Sequence, residues 1–321
     1  MQAIVQDRYG PIDVLQRRDI DKPAIGHGEV LVRVRAAGLH VGDLFSVRGS
    51  PFPVRMMTGL LRPKVGVPGF DVAGHVEAVG SAVTRFRPGD EVFGVGIGAC
   101  AEYARAAEDK LLPKPADLTW EQAAAIPTSG LAAFHGLRDA GKLQPGERVL
   151  INGASGGVGT FAVQIAKAFG AEVTAVSSTR NVELVRALGA DHVIDYTRED
   201  FTAGEAHYDL ILDNVENRSI SEIRRVLTPN GTLVLNSGTG ATGLRMLARL
   251  IWPLVLSRFT SHTLRRYLSN PNQADLAALT QLVEDGKVKP VIERTYPLRE
   301  TPAALRHIAS GHARGKVVVT V

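Results

Sequence analysis

The chain has 321 residues, 45% of them hydrophobic, and this length exceeds the usual size of a single core, so two domains are expected. Its formal net charge of +4 is weak and spread along the chain, which gives no support to nucleic-acid binding. The single cysteine, Cys100, excludes an internal disulfide and a multi-cysteine zinc site. The sequence shows neither a signal-peptide pattern nor a long apolar run, which predicts a cytoplasmic protein without stable membrane insertion.

The first part of the chain is predicted to be a compact β-barrel-like domain that ends near residue 122. Short β-favouring runs, separated by Gly, Pro and Asp turns, are found at Gln2–Val5, 29–35, 72–79 and 91–94. Residues 49–66 carry three prolines and little periodicity, and are predicted to be a loop. That loop is either a plain surface connection or part of the substrate environment.

Residues 120–140 are predicted to lead into a second domain. They contain two helical stretches, separated by Pro127-Thr128-Ser129-Gly130, and a hydroxyl side chain is expected to cap the second helix.

A glycine-rich turn then joins an apolar strand at 148–151 to a helix with apolar residues at helical spacing. Ala154, Gly156 and Gly159 stand in an A-x-G-x-x-G register, a variant of the dinucleotide-binding fingerprint, in which phosphate binds at the helix N-terminus. Alone, the turn fits a plain turn equally well. The alternation that follows predicts a doubly wound parallel sheet and favours nucleotide binding: strands at 172–176, 192–194, Tyr208–Asp213 and 231–236, with helices ending near 189 and 227.

Residues 242–268 mix an apolar stripe with arginines and are interrupted by Pro253. An amphipathic helix here could form a pocket lid, a subunit contact or a membrane-surface element. The last elements are predicted to return to the first domain, because they are too few for a domain of their own: a helix at 274–284, a strand at 291–296, a helix at 302–310 and the strand Lys316–Thr320.

The second strand of the nucleotide-binding sheet is followed by Ser177, Ser178, Thr179 and Arg180, where NAD-specific folds carry an acid. Hydroxyls and an arginine accept a 2′-phosphate, so NADP(H) is the predicted cofactor. Alternatively, Ser178 or Thr179 only caps the next helix and Arg180 is solvated.

Five motifs of the chain are notable: 67–80 (VPGFDVAGHVEAVG), 86–94 (FRPGDEVFG), 127–137 (PTSGLAAFHGL), 146–159 (GERVLINGASGGVG) and 188–196 (LGADHVIDY). Together they resemble the medium-chain dehydrogenase/reductase superfamily, in its zinc-independent quinone oxidoreductase-like branch. The resemblance implies an α/β fold: a Rossmann doubly wound parallel sheet plus a GroES-like β-barrel catalytic domain that is discontinuous in sequence. The corresponding domains are 1–122, 123–266 and a return segment at 267–321. With Ser178 from the hydroxyl run, the implied cofactor-binding residues are Thr128, Ala154, Ser155, Gly156, Gly157, Val158, Ser177, Ser178, Arg180, Tyr196, Asn214, Ser237, Gly238 and Lys316.

The zinc-dependent branch of that superfamily has a cysteine at the position of His40, a His-Glu pair at Phe70-Asp71 and a further cysteine near Thr128, none of which is present here. No metal is therefore expected. Without a Lewis acid, quinones and α,β-unsaturated carbonyls are better acceptors than plain ketones, because they are already electrophilic.

The catalytic candidates are His40 and Asp43. His40 either donates a hydrogen bond or proton to substrate or is an inert buried histidine, and Asp43 either orients His40 or satisfies backbone donors. The alternatives to a quinone or enone reductase are a zinc-free NADP-linked alcohol dehydrogenase and a non-catalytic NADPH-binding protein. The expected partners are a small hydrophobic electrophile and a second copy in a homodimer.

Overall fold

The computed structural model describes residues 1–236 and 260–321, and these residues belong to two compact units. The first unit comprises residues 1–129, 271–280 and 290–321, and the second comprises residues 130–270 and 281–289. The chain therefore crosses between units after Ser129 and after Asn270, somewhat later than the predicted crossings after 122 and 266. Residues 281–289 lie in the second unit, whereas the sequence placed them with the return segment.

The described strands are, in chain order, β1 Gln2–Val5, β2 Gln16–Asp19, β3 Glu29–Leu39, β4 Asp71–Val79, β5 Glu91–Val95, β6 Tyr103–Ala107, β7 Leu111–Pro113, β8 Arg148–Asn152, β9 Glu172–Ser177, β10 His192–Asp195, β11 Tyr208–Asp213, β12 Leu227–Leu235, β13 Thr263–Arg266, β14 Ile292–Pro297 and β15 Lys316–Thr320. The described α-helices are α1 Val41–Arg48, α2 Phe52–Thr58, α3 Trp120–Ala125, α4 Pro127–His135, α5 Gly157–Ala168, α6 Val182–Ala187, α7 Ile220–Arg224, α8 Gln273–Glu284 and α9 Thr301–Ala309. None of the helices in these ranges is long and apolar enough to cross a bilayer.

The first unit is built on a sheet in the order β14-β15-β3-β4-β5-β7, with β6 also paired to β3. The long strand β3 organises this sheet because β4, β6 and β15 all pair with it in antiparallel fashion. The last strand of the chain is thus an integral part of the first unit. Helix α3 packs closely on β3 at Gly38, where a Cβ atom would lie 2.1 Å from the carbonyl oxygen of Ala124.

The second unit contains a six-stranded parallel sheet in the order β10-β9-β8-β11-β12-β13. The order reverses between β8 and β11, so the carboxyl ends of these two strands flank a topological switch point, where ligands bind in sheets of this kind. This sheet confirms the predicted doubly wound architecture. Its core is formed by apolar side chains of the strands, such as Leu150, Ile211 and Leu233, and of the packed helices.

Several element predictions need correction. Residues 49–66 are not simply a loop, because they contain α2, and α4 begins at Pro127, so Thr128 and Ser129 lie in its first turn instead of preceding it. Both errors have one cause: proline is tolerated in the first turn of a helix, so Pro53 and Pro127 fit helix starts where the sequence suggested interruptions.

Two further predicted helices were wrong in part. The predicted helix at 218–227 ends at Arg224, because β12 already begins at Leu227. Within 242–268, residues Thr263–Arg266 form β13, parallel to β12, and not a helix. The part of that segment before residue 260 lies outside the described residues, so its predicted role as lid, subunit contact or membrane element stays a prediction.

Candidate cofactor and active-site residues

The glycine turn, residues 153–159, connects β8 to α5 at the switch point. Gly153 has a φ of 76°, a backbone conformation that favours glycine, and a Cβ on Gly159 would lie 2.1 Å from the Gly153 carbonyl oxygen. The helix can therefore approach the turn only without a side chain at 159. The first N–H groups of α5 have no intrahelical acceptor and carry the positive end of the helix dipole, a site suited to an anionic phosphate.

Side chains tie this turn to the end of β9. The Asn181 side-chain amide donates to the Ser155 hydroxyl at 2.9 Å and to the Ser178 hydroxyl at 3.3 Å. The backbone N–H of Tyr196 donates to the carbonyl of Ser177 at 3.0 Å. The structure thus brings the turn, Ser177, Ser178 and Tyr196 together at the carboxyl edge of the second unit's sheet.

Arg180 is exposed in the short 3₁₀ turn that follows Ser178. The strand β9 ends at Ser177 and carries no acid at its end, as the sequence indicated. The neighbouring strand β10, however, places Asp195 in register with Ser177. The Asp195 carboxylate accepts hydrogen bonds from the hydroxyls of Thr179, at 2.5 Å, and Thr197, at 2.7 Å. These contacts, first of all the one from Thr179, hold the pKa of Asp195 below its ordinary value, so a fixed negative charge lies next to the Arg180 turn.

Asn214 lies directly after β11, on the other side of the switch point. Its side-chain amide donates to the carbonyl of Asn152 at 3.0 Å and its oxygen accepts from Asn236 at 2.7 Å. Beside it, the buried carboxylate of Asp213 accepts from the Asn152 side chain at 2.8 Å, and burial raises the pKa of Asp213. The predicted cofactor ligands Ser237 and Gly238 lie outside the described residues.

In the first unit, His40 is the N-cap residue of α1. Its Nδ1 accepts a hydrogen bond from the backbone N–H of Gly42 at 2.9 Å, so in the neutral ring the proton is on Nε2. The ring stacks on Phe70 with 5.8 Å between centroids, and Nε2 has no hydrogen-bond partner within the described chain. A buried donor without a partner is costly, which makes it a natural contact for an oxygen atom of a ligand.

Asp43 is fully buried, and its carboxylate accepts from the backbone N–H of His40 at 2.8 Å. The distance from this carboxylate to His40 Nε2 is 3.6 Å, and no hydrogen bond joins the two side chains. Burial raises the pKa of Asp43, and this effect outweighs the opposing influence of His40. Of the two roles open for Asp43, the contacts therefore favour acceptance from the backbone at the start of α1.

A second group of buried polar side chains in the first unit, here called the Asp71 cluster, comprises Asp71, Thr128, Ser129 and Lys316. Asp71 accepts from the backbone N–H of Thr128 at 3.0 Å and from its hydroxyl at 2.5 Å. The Lys316 ammonium donates to Ser129 at 3.0 Å and lies 3.4 Å from the other Asp71 oxygen. The structure thus places the predicted cofactor ligands Thr128 and Lys316 in contact with an internal carboxylate.

The site residues predicted from sequence did not include several of these polar residues: Asp71, Ser129, Asn152, Asn181, Asp195, Asp213 and Asn236. Each acid follows or begins a run of apolar strand residues, as in VPGFDVAG and VIDY. A lone carboxylate at such a position must be paired, which is the pattern that could have indicated Asp71 and Asp195.

Comparison with known proteins places the chain among dehydrogenases. Residues 26–116 match the family model "Alcohol dehydrogenase GroES-like domain" and residues 188–319 match "Zinc-binding dehydrogenase". The chain is 34% identical to the mitochondrial NAD(P)H oxidoreductase RTN4IP1 of Mus musculus, covering 100% of this chain and 89% of that protein. The chain belongs to the medium-chain dehydrogenase/reductase superfamily.

Two further matches agree with this membership. The quinone oxidoreductase from Coxiella burnetii superposes with a TM-score of 0.88 at 32% identity, covering 100% of this chain and 99% of that one. A stretch of the spectinabilin polyketide synthase protein NorB of Streptomyces orinoci is 36% identical over 92% of the chain but only 13% of that protein's length. As a superfamily member the protein is an oxidoreductase with a GroES-like domain and a Rossmann-type parallel sheet, as the motifs predicted. The roles of the individual site residues stay predictions.

Proposed function

We propose that the protein is an NADPH-dependent, zinc-independent oxidoreductase that transfers hydride to a quinone or an α,β-unsaturated carbonyl. The observation that carries the cofactor assignment is the end of β9, where Ser177 is followed by Ser178 and the exposed Arg180 and no acid occupies the strand end. A carboxylate there would repel a 2′-phosphate, whereas a guanidinium pairs with it. The NAD(P)H oxidoreductase relative supports a nicotinamide cofactor.

The glycine turn fits such a cofactor, because an added Cβ at Gly156 would meet no protein atom closer than 3.5 Å, which leaves its outer side open to a pyrophosphate. The first-turn N–H groups of α5 would bind that pyrophosphate, and Ser178 and Arg180 would bind the 2′-phosphate. Asp195 would hold the Arg180 turn through Thr179. When bound, the nicotinamide supplies the hydride.

Zinc independence is supported by the contacts of the groups at the positions where the zinc-dependent branch has its ligands. His40 Nδ1 already accepts from Gly42, and Asp71 already accepts from Thr128 and pairs with Lys316. A zinc site needs several such groups free to converge on one point. An acceptor that is electrophilic without metal is then the better substrate, and His40 Nε2–H is the donor that we assign to its oxygen atom.

Replacing Arg180 with alanine tests the cofactor choice. The variant should bind NADPH about 10- to 100-fold more weakly, the loss of one charge-assisted contact, while NADH binding changes little. Fluorescence titration of both cofactors measures this. Arg186→Ala is the matched control, because Arg186 is an exposed arginine that pairs with Glu183. Equal losses for both cofactors, or a wild-type preference for NADH, would contradict the assignment.

The reaction is tested by the absorbance of NADPH with a panel of quinones, enals and plain ketones, before and after prolonged chelation. We expect oxidation with quinones or enals that survives chelation, and purified protein without stoichiometric zinc. Turnover of alcohols and ketones alone would indicate the alcohol dehydrogenase alternative. Tight NADPH binding without any turnover would indicate a binding protein, and activity restored by zinc would overturn the zinc-independent branch.

A further inference from the structure

The segment formed by α2 and the residues after it, up to Val65, exposes several large apolar side chains in the first unit. The exposed fractions are 61% for Phe52, 69% for Met56, 62% for Leu60 and 93% for Leu61. Phe52 and Met56 are four residues apart and so share one side of the helix. These four side chains are here called the apolar face. Several large apolar side chains that are exposed within one short segment indicate a candidate interaction site.

The two polar side chains of α2, Arg55 and Thr58, are turned toward the protein. The Tyr9 hydroxyl contacts the Thr58 hydroxyl at 2.8 Å and donates to the Gly59 carbonyl at 2.6 Å. Arg55 donates to the Gly49 carbonyl at 2.9 Å, and its guanidinium lies 4.8 Å from the centre of the Tyr9 ring. The usual arrangement is therefore inverted, with polar groups fixing the segment and apolar groups in water. The hydrophobic effect opposes this arrangement unless the apolar face meets an apolar partner.

The charges around the apolar face have one sign. Asp and Glu make up 33 of the 321 residues, yet none lies between Asp43 and Asp71, where the cations are Arg48, Arg55, Arg62 and Lys64. Arg62 and Lys64 follow Leu61 almost directly and are exposed, and no ion pair involves either one in the part of the chain that the structure describes. An approaching surface would thus meet apolar side chains flanked by free positive charge.

We propose that the apolar face docks the protein reversibly on an anionic lipid bilayer. Phe, Met and Leu side chains that enter the acyl boundary, beside Lys and Arg at the headgroup level, are the features of a peripheral membrane-binding element. Uniform positive charge suits a uniformly anionic surface better than a protein partner, whose surface carries both signs. α2 has seven residues, too few to span a bilayer, so the contact is superficial.

The docked segment lies, in the sequence of the first unit, between His40 and Phe70, whose rings stack with 5.8 Å between their centroids. Docking would therefore bring His40 near a lipid surface, the phase in which a lipophilic electrophile dissolves. The docking itself does not depend on the proposed reaction and is tested without it.

Co-sedimentation of the full-length protein with vesicles tests the docking, using phosphatidylcholine alone and phosphatidylcholine mixed with phosphatidylglycerol. We expect binding to the anionic vesicles that weakens at high salt. The double variant Arg62→Gln with Lys64→Gln should bind about 25-fold more weakly, since each basic residue near an anionic surface contributes about fivefold. The double variant Leu60→Ser with Leu61→Ser should lose the binding that remains at high salt.

The matched controls are Ile97→Ser, which removes an apolar side chain that is 38% exposed in the first unit outside the apolar face, and Arg87→Gln, which removes an exposed arginine in the first unit. Both should bind vesicles like the wild type, and melting temperatures verify that all variants fold. Absence of wild-type binding to anionic vesicles would overturn the proposal. So would variants that bind like the controls, or variants that change only the sedimentation coefficient of the protein without lipid, because the face would then be a contact between copies.

Discussion

The glycine turn of the second unit and the Asp71 cluster of the first unit are both expected to serve the cofactor, but they are assembled in opposite ways. The turn is continuous in sequence and uses backbone N–H groups, and Gly159 is required because a side chain there would collide with the backbone. The cluster joins side chains from β4, α4 and β15, with Asp71 and Lys316 separated by 245 residues. Backbone sites are thus specified locally, whereas a buried charge pair depends on the whole fold of its unit.

The largest effect is expected from breaking the Asp71 cluster. In Asp71→Ala the buried ammonium of Lys316 loses its counter-charge, since both side chains are 1% exposed or less. Removing one partner of such a pair costs about 3 to 5 kcal/mol, a large part of the stability of a domain. Urea unfolding should show this loss in the free energy of unfolding.

The matched control removes both charges. In the double variant Asp71→Asn with Lys316→Met neither charge of the pair stays buried, and most of the stability should return, because well-packed neutral groups replace such pairs at little cost. If Asp71→Ala instead loses less than about 1 kcal/mol, the pair behaves like an exposed salt bridge and the distinction between the two regions fails.

The next largest effect on stability is expected from adding a side chain in the glycine turn. In Gly159→Ala the new Cβ would lie 2.1 Å from the Gly153 carbonyl oxygen, so helix and turn must separate. Overpacking of this kind costs about 1 to 3 kcal/mol, which exceeds the gain of up to about 1 kcal/mol from the better helix propensity of alanine. The free energy of unfolding without cofactor should therefore fall, and cofactor affinity should fall with it.

Gly156→Ala separates stability from binding. Its Cβ would have no neighbour closer than 3.5 Å and its φ of −81° suits any residue, so unfolding without cofactor should be unchanged. Cofactor affinity should still decrease, because the methyl group would occupy the space that we propose for the pyrophosphate. Equal stability losses in the two variants would show that the turn is only structural.

These two regions also show what the sequence could predict. The strand-turn-helix order and the parallel sheet follow from local periodicity and turn residues. The return of Lys316–Thr320 to the first unit follows from the number of elements left, which is too small for a separate domain. The pairing of Asp71 with Thr128 and Lys316 could not be predicted, because nothing local indicates which distant side chain meets a buried acid. The start of α4 at Pro127 was missed for a local reason, since proline is as compatible with a first turn as with a break.

A smaller effect, on the relative affinities for NADPH and NADH, is expected at Asp195, which contacts the nearby Thr197 and also Thr179, 16 residues earlier in the chain. Asp195→Asn removes a negative charge next to the Arg180 turn but keeps an oxygen acceptor for Thr179, so NADPH affinity should rise severalfold relative to NADH. Asp195→Ala removes the acceptor as well, so the turn is no longer held and NADPH affinity should fall. Titrations of both cofactors measure the ratio. If both variants shift it in the same direction, the acid does not act through Thr179.

The smallest effect is a pH dependence at Asp43, which compares one buried carboxylate with an exposed one. Burial raises the pKa of Asp43 in the folded state, so above the unfolded-state pKa of about 3.9 the folded protein binds more protons than the unfolded chain. The free energy of unfolding then decreases as pH rises through that window, and Asp43→Asn should remove this decrease.

Asp200 is the control of opposite sign, because backbone donation from Thr202 lowers its pKa. The stability that Asp200 contributes is present above the unfolded-state pKa and is lost as pH falls through the folded-state pKa. Denaturant unfolding of the wild type and of the Asp43→Asn and Asp200→Asn variants should be measured across this pH range. The difference in free energy of unfolding between wild type and variant should change with pH in opposite directions for the two variants. If the wild-type and Asp43→Asn free energies run parallel with pH, the Asp43 carboxyl group is no harder to ionise in the folded protein than in the unfolded chain.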